Sequence, residues 1–172
     1  MSDARMSQLE ARVQALERRL QHAEDRLAIY QLVATYGPSV DSLSREVVQS
    51  LWLEDGVYDH TAGVAPYQGN ESVGRLVEGE QHRGYVAKGC AHITSLPHIT
   101  IDGDKAVATG HSRVYLRDGD FWRLERVSAN RWELERTILG WKVRRRTNRL
   151  LNGDEAPSQL LARGVQRDRD YL

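Results

Sequence analysis

A single cysteine, Cys90, stands in 172 residues, so no disulfide can form within the chain, and a reducing compartment suits it. An excess of charge of either sign is also missing. Lys plus Arg and Asp plus Glu both number 24, and the formal net charge is zero. The basic surplus that marks a nucleic-acid binder is therefore absent. No apolar run approaches the ~20 residues of a membrane-spanning helix. The opening MSDARMSQLEARVQ has no apolar core of the kind a signal peptide carries. The expected location is the cytoplasm, with neither nucleic acid nor membrane as partner. What is present is ordinary for a globular protein: 40% apolar and 28% charged residues, too apolar for disorder. The length suits one domain with a real core.

The first segment carries a heptad. Met6, Val13, Leu20 and Leu27 share one position, and Leu9, Leu16, Ala23 and Tyr30 share the other. Charged residues such as Glu10, Arg12, Glu17, Arg18 and Arg19 fill the remainder. This spacing predicts a helix with a narrow apolar stripe, packed on its own domain or on a partner subunit, and a homo-oligomer (dimer or trimer) is expected. From Asp25 the stripe widens through Ile29, Leu32, Val33 and Tyr36, as in a helix entering a core. Gly37 and Pro38 are expected to end or kink it. A second helix is expected from Ser42 or Ser44 through Trp52, then a short strand over Val57 to His60. A further helix is expected near Ser72 to Tyr85.

The second half predicts an antiparallel meander. Strands are expected over His92 to Ile101, Ala106 to Leu116, Phe121 to Glu135 and Trp141 to Leu151, joined by turns such as Asp102-Gly103-Asp104. The tail after Asn152 reads as polar and mobile, with Leu160, Leu161 and Val165 able to form a short docking helix. If Ile101 pairs with Ala106, a constant register sets His92 opposite Tyr115 and Leu96 opposite His111. His111, Arg113, Tyr115 and His92 then share one face. Such a face is either solvent-facing or the polar wall of a pocket.

Helices followed by a strand and a long meander follow the order of a cone-shaped α+β fold. Asp25-Arg-Leu-Ala-Ile-Tyr-Gln-Leu-Val-Ala-Thr-Tyr36 with Val40-Asp41 resembles the opening of SnoaL-like proteins of the nuclear-transport-factor-2-like superfamily. Leu51-Trp-Leu-Glu-Asp-Gly-Val-Tyr-Asp59, Ile101-Asp-Gly-Asp-Lys-Ala-Val-Ala108 and Gly140-Trp-Lys-Val-Arg144 are similar to its later segments. The resemblance implies a curved antiparallel sheet packed against N-terminal helices. It divides the chain into a heptad extension (1–24), a SnoaL-like domain (25–152) and a polar tail (153–172).

Among scytalone dehydratase and dehydrochlorinase-type members, an Asp after the first helix pairs with a His on the first long strand. Asp41 and His92 match those positions, and His111 matches a second histidine. Tyr58-Asp-His60 falls where a substrate-facing tyrosine is placed, whereas Val40 replaces the tyrosine that precedes the matching Asp. The implied catalytic set is Asp41, His92 and His111, with Tyr36, Tyr58, His60, Arg113, Tyr115 and Trp52 binding substrate. A neutral imidazole can take a proton from carbon beside a carbonyl or leaving group, and a carboxylate on its other nitrogen fixes the tautomer. No metal or organic cofactor is required by that chemistry. The expected activity is a cofactor-independent lyase or cyclase on a hydrophobic small molecule. The alternatives are a non-catalytic ligand-binding protein or an accessory subunit of a ring-hydroxylating oxygenase.

Other features read as structural. His98 beside Pro97 is expected to be structural, and His22 and His82 to lie on the surface. Cys90-Ala-His92 lacks the company of HExxH or paired CxxC motifs, so Cys90 reads as a small buried residue or a strand-edge thiol. The basic run Lys142 to Arg149 reads as a solvated sheet face paired with Glu125, Glu133 and Glu135. Trp122, Trp132 and Trp141 read as core or subunit-interface residues.

Overall fold

The structure, a computed structural model, describes residues 2–165. A single helix, α1 (Ser2–Asp41), carries the heptad and the core-entering stripe without interruption. Pro38 lies inside it and leaves the Ala34 carbonyl without its usual donor, yet the helix runs on to Asp41. The stop comes two residues later. Leu43 adopts the left-handed conformation (φ 55°), with Leu43 N–H donating to Val40 O and Ser44 N–H to Ser39 O. This paired closure is a Schellman turn made with Leu where Gly is usual.

Short helix α2 (Arg45–Ser50) leads into β1 (Trp52–Asp59), which starts earlier than the sequence suggested and takes Trp52 out of the helix. After β2 (Tyr67–Gln68), the expected single helix is split into α3 (Asn70–Arg75), a 3-10 turn (Leu76–Glu78) and α4 (Glu80–Lys88). The meander follows as β3 (Cys90–Thr94), β4 (His98–Asp102), β5 (Lys105–Asp118), β6 (Phe121–Thr137) and β7 (Gly140–Leu150). Helix α5 (Glu155–Gly164) covers Leu160 and Leu161, and His98 Nδ1 lies 3.1 Å from Gly164 O. The expected mobile tail beyond Val165 lies outside the described residues.

The sheet order is β2-β1-β7-β6-β5-β3, with β4 also on β5. β1 runs parallel to β7, and every other pairing is antiparallel. The concave face meets the domain-facing side of α1, where Ile29, Leu32, Val33 and Tyr36 join Trp52, Trp132, Leu134 and Val143 in the core. Trp132 and Trp141 are buried as expected for core residues, whereas Trp122 is exposed.

Two carboxylates tie α1 to the sheet. At one end Asp25 is buried and holds Arg136 in a two-pronged pair (2.5 and 2.7 Å), while Trp141 Nε1 donates to it at 3.1 Å. At the other, Gly37 touches β3 so closely that an added Cβ would lie 2.1 Å from the His92 carbonyl oxygen. Only glycine permits that approach, and it brings Asp41 to His92.

Candidate active site

The expected long strand from His92 to Ile101 is broken at Ser95-Leu96-Pro97, and the break decides what His92 faces. β4 keeps the anticipated register, with Ile101 opposite Ala106. β3 is displaced by one residue, so His92 lies opposite Val114 instead of Tyr115. Leu96 has no ladder partner and is exposed, and it is Ser95 that bonds at the His111 level: its N–H donates to His111 O at 2.8 Å. A one-residue shift inverts the face of every residue before it. His92 therefore joins Ser112 and Val114 on the concave side, while His111 and Arg113 are exposed on the other side and Tyr115 is half-buried there.

Asp41, at the last turn of α1, meets His92 twice. Its Oδ1 is 2.6 Å from His92 Nδ1, and its Oδ2 accepts the His92 backbone N–H at 2.7 Å. Cys90 Sγ donates to Oδ1 at 3.3 Å. Burial pushes the Asp41 carboxyl up, but these hydrogen bonds, led by the imidazole, outweigh it and hold the group below its usual range. An ionised Asp41 requires the Nδ1–H tautomer of a neutral His92, which leaves the Nε2 lone pair available. His82, expected at the surface, is instead buried with Nε2 2.8 Å from Val40 O and its ring centre 5.4 Å from that of His92.

His92 borders a cavity of about 570 Å³. Tyr36, Tyr58, Tyr67 and Leu76 supply apolar and aromatic surface, and Ser112, Ser128, Asn148 and Arg146 supply polar surface. His60 also lines it, with a buried Nδ1 that has no hydrogen-bond partner among the described residues. Burial, then the charge of Arg126, lowers the His60 pKa, and Asp59 opposes the shift only in part. Of the sequence-derived set, Asp41, His92, Tyr36, Tyr58 and His60 thus gather at or beside one cavity. Arg113 touches its edge as an exposed residue. His111 and Tyr115 are not among the lining residues, because the break at Ser95–Pro97 leaves them on the opposite face of the sheet. Trp52 is not among them either. It packs behind Tyr36 and Tyr58 (ring centres 5.8 and 6.3 Å away) as core.

Arg146 is the residue the sequence did not announce. It is 98% buried by its 2% exposure, with its guanidinium 4.1 Å from the ring centres of Tyr36 and Trp132 and 4.8 Å from that of Tyr58. Nε and Nη2 donate to Asn130 Oδ1 at 3.0 and 2.8 Å, and Nη1 has no hydrogen-bond partner among the described residues. Asn130 is held in turn through its Nδ2, which donates to Ser112 Oγ at 2.7 Å. The arginine reaches the inner face because Arg144 is an extra residue in β7: Glu133 pairs with Arg145 and Leu134 with Val143. Of its neighbours, Arg144 follows the solvated reading by pairing with Glu135 and Asp55, whereas Arg145 and Arg149 pair with the mostly buried Asp59. The expected partners Glu125 and Glu133 pair instead with Arg123 and Arg131.

Asp41, Cys90 and His92 offer three donor atoms within 4.8 Å of one another, a spacing that a metal ion could use. Burial, reinforced by the hydrogen bond to Asp41, pushes the Cys90 thiol up to about 12, so near neutrality it is a protonated donor to Asp41. A metal would have to expel that proton and the one shared between Asp41 and His92.

The family model of the SnoaL-like domain matches residues 21–147. No curated protein matches the chain. Among solved structures, an NTF2-like protein with a cystatin-like fold from Novosphingobium aromaticivorans is 42% identical, at TM-score 0.82, over 85% of this chain and 94% of its own. A candidate aromatic ring hydroxylase from the same species is 26% identical, at TM-score 0.59, over 75% of this chain and 90% of its own. A hexachlorocyclohexane dehydrochlorinase of the LinA-type3 kind from Novosphingobium barchaimii is 21% identical, at TM-score 0.65, over 77% and 90%. That last likeness is one of fold.

Proposed function

The chain belongs to the SnoaL-like family, and on that premise we propose that it is a cofactor-independent lyase, cyclase or isomerase that removes a proton from carbon in a small molecule. The observation that carries the reading is the 2.6 Å contact of His92 Nδ1 with Asp41 at the wall of a 570 Å³ cavity. His92 Nε2 takes the proton from carbon beside a carbonyl or a leaving group. The C–H electron pair then forms a double bond, and its charge moves to the carbonyl oxygen or departs with the leaving group. Asp41 keeps the proton on Nδ1 and stabilises the imidazolium as it forms. Arg146, a buried cation without a carboxylate partner among the described residues, stabilises the negative charge that develops.

The cavity also refines the substrate. Its volume suits a ring compound of drug-like size. The aromatic wall supports a hydrophobic ring, as in polyketide-like, terpenoid, steroid-like or halogenated compounds. Arg146, Ser112 and Asn148 favour a polar or charge-accepting group at one end.

Ring compounds that shift the melting temperature would be incubated with the protein in D₂O and followed by NMR. Deuterium at the carbon beside the carbonyl, or an eliminated product, supports the proposal if His92→Ala abolishes it. Full turnover by His92→Ala would exclude His92 as base. Tight binding without exchange or product would favour a ligand-binding protein instead.

A further inference from the structure

The N-terminal half of α1 carries an apolar seam that its own domain does not cover. Met6, Leu9, Val13, Leu16, Leu20 and Leu27 are between 47% and 67% exposed. In heptad terms Met6, Val13 and Leu20 occupy position a, and Leu9 and Leu16 position d. The residues that α1 buries against its own sheet, Ile29, Leu32, Val33 and Tyr36, fall at c, f and g. The seam thus lies on the side of the helix turned away from the domain. Exposing such a row of apolar side chains to water is costly.

The charges beside the seam say what covers it. Every e position holds an acid, Glu10, Glu17 and Glu24, and every g position holds an arginine, Arg5, Arg12 and Arg19, with Arg26 next. The first six are exposed and make no ion pair within the chain among the described residues, whereas Arg26 is engaged by Ile99 O and Tyr30 Oη. In a parallel pair of helices, g of one heptad meets e of the partner's next heptad. A second copy therefore sets Arg5, Arg12 and Arg19 against the partner's Glu10, the partner's Glu17 and the partner's Glu24. An antiparallel pair would set arginine against arginine and acid against acid. Val13 at a, between Leu9 and Leu16 at d, also suits two strands.

We infer that residues 5–27 pair with the same segment of a second copy as a parallel, in-register, two-stranded coiled coil. The arrangement holds both domains at one end of the coil. It is independent of the catalytic reading and stands or falls without it.

Cysteines placed singly at Leu9 and at Ala23 test the register in the full-length chain. Both Leu9→Cys and Ala23→Cys are expected to oxidise to covalent dimers, because in register each residue meets itself. An antiparallel or staggered pairing can bring at most one of the two against itself. Leu9→Asp/Leu16→Asp is expected to about halve the mass read by sedimentation, since the seam is its only site of change. Circular dichroism melting separates this from unfolding, because neither residue contributes to the core. Arg5→Glu/Arg12→Glu/Arg19→Glu leaves the seam intact and makes e and g both acidic. Its dissociation constant is expected to rise about tenfold or more at low salt, and the effect to shrink as salt is added. Failure of either cysteine to cross-link, or an unchanged sedimenting mass in the seam variant, would overturn the inference.

Discussion

Two aspartates on one helix make nearly the same contact in different surroundings. Asp25 and Asp41 both reach from α1 to the sheet, both accept hydrogen bonds as short as 2.5–2.6 Å, and both carboxyls are held below their usual range. Asp25 meets a guanidinium that stays charged at any pH the protein will see, and the pair lies against Trp141. Asp41 meets an imidazole, which can exchange its proton, at the wall of a cavity. The ion-pair geometry alone therefore distinguishes nothing. What separates an anchor from a candidate dyad is whether the partner can give up and take back a proton and whether it borders an occupiable space.

The largest expected effect lies at the imidazole end. His92→Ala should lower turnover of a confirmed substrate by ~10²–10⁴-fold, the usual weight of a positioned general base. Asp41→Asn should approach the same loss, because the two groups act as one unit. Retained melting temperature in both variants shows that chemistry, not folding, was lost. If Asp41→Asn lowers stability and leaves turnover intact, the two aspartates are equivalent anchors and the distinction collapses.

At the other end the effect should be on stability alone. Asp25→Asn is expected to cost about 2–3 kcal/mol in denaturant unfolding. That is less than the ~3–5 kcal/mol of a fully buried broken pair, since Arg136 keeps Asp104 and some solvent. The pH dependence follows from the carboxyl, which Arg136 chiefly lowers from 3.8 to about 2. A depressed carboxyl contributes stability above its unfolded value and loses it as pH falls through the folded one. About 2 kcal/mol should therefore be present above pH ~4 and fade toward pH ~2. The variant should lack that portion of the acid sensitivity, as urea midpoints at several pH values would reveal.

Much of this layout was legible in the sequence, and the wrongly assigned sheet faces share a cause. The heptad, the meander, the turn pairing Ile101 with Ala106, and the joining of Asp41 to His92 all rest on local periodicity or on the family pattern. Faces were lost wherever one residue broke the alternation. The interruption at Ser95–Pro97 turned His92 inward and left His111, Arg113 and Tyr115 behind. The extra Arg144 turned Arg146 inward out of a run that looked uniformly solvated. Strand patterning has a period of two, so a single insertion inverts every assignment beyond it; Pro97 marks the first break, whereas nothing in residue type marks the extra Arg144. His82 was missed for another reason: α4 folds it under the end of α1 through a backbone carbonyl, a contact with no sequence signature.

The smallest expected effect is the control that sharpens the comparison. His111 is exposed on the convex side; its backbone N–H donates to Ser95 Oγ at 2.9 Å, an interaction that survives truncation of the side chain. His111→Ala should change stability by no more than ~0.5 kcal/mol and leave turnover unaltered. The same side chain at position 92 has a carboxylate on one nitrogen and a cavity beside it, whereas at position 111 the cavity lies across the sheet. A large loss of turnover in His111→Ala would mean that the convex face takes part in the chemistry. The site would then extend across the sheet, and the cavity could no longer be what distinguishes Asp41 from Asp25.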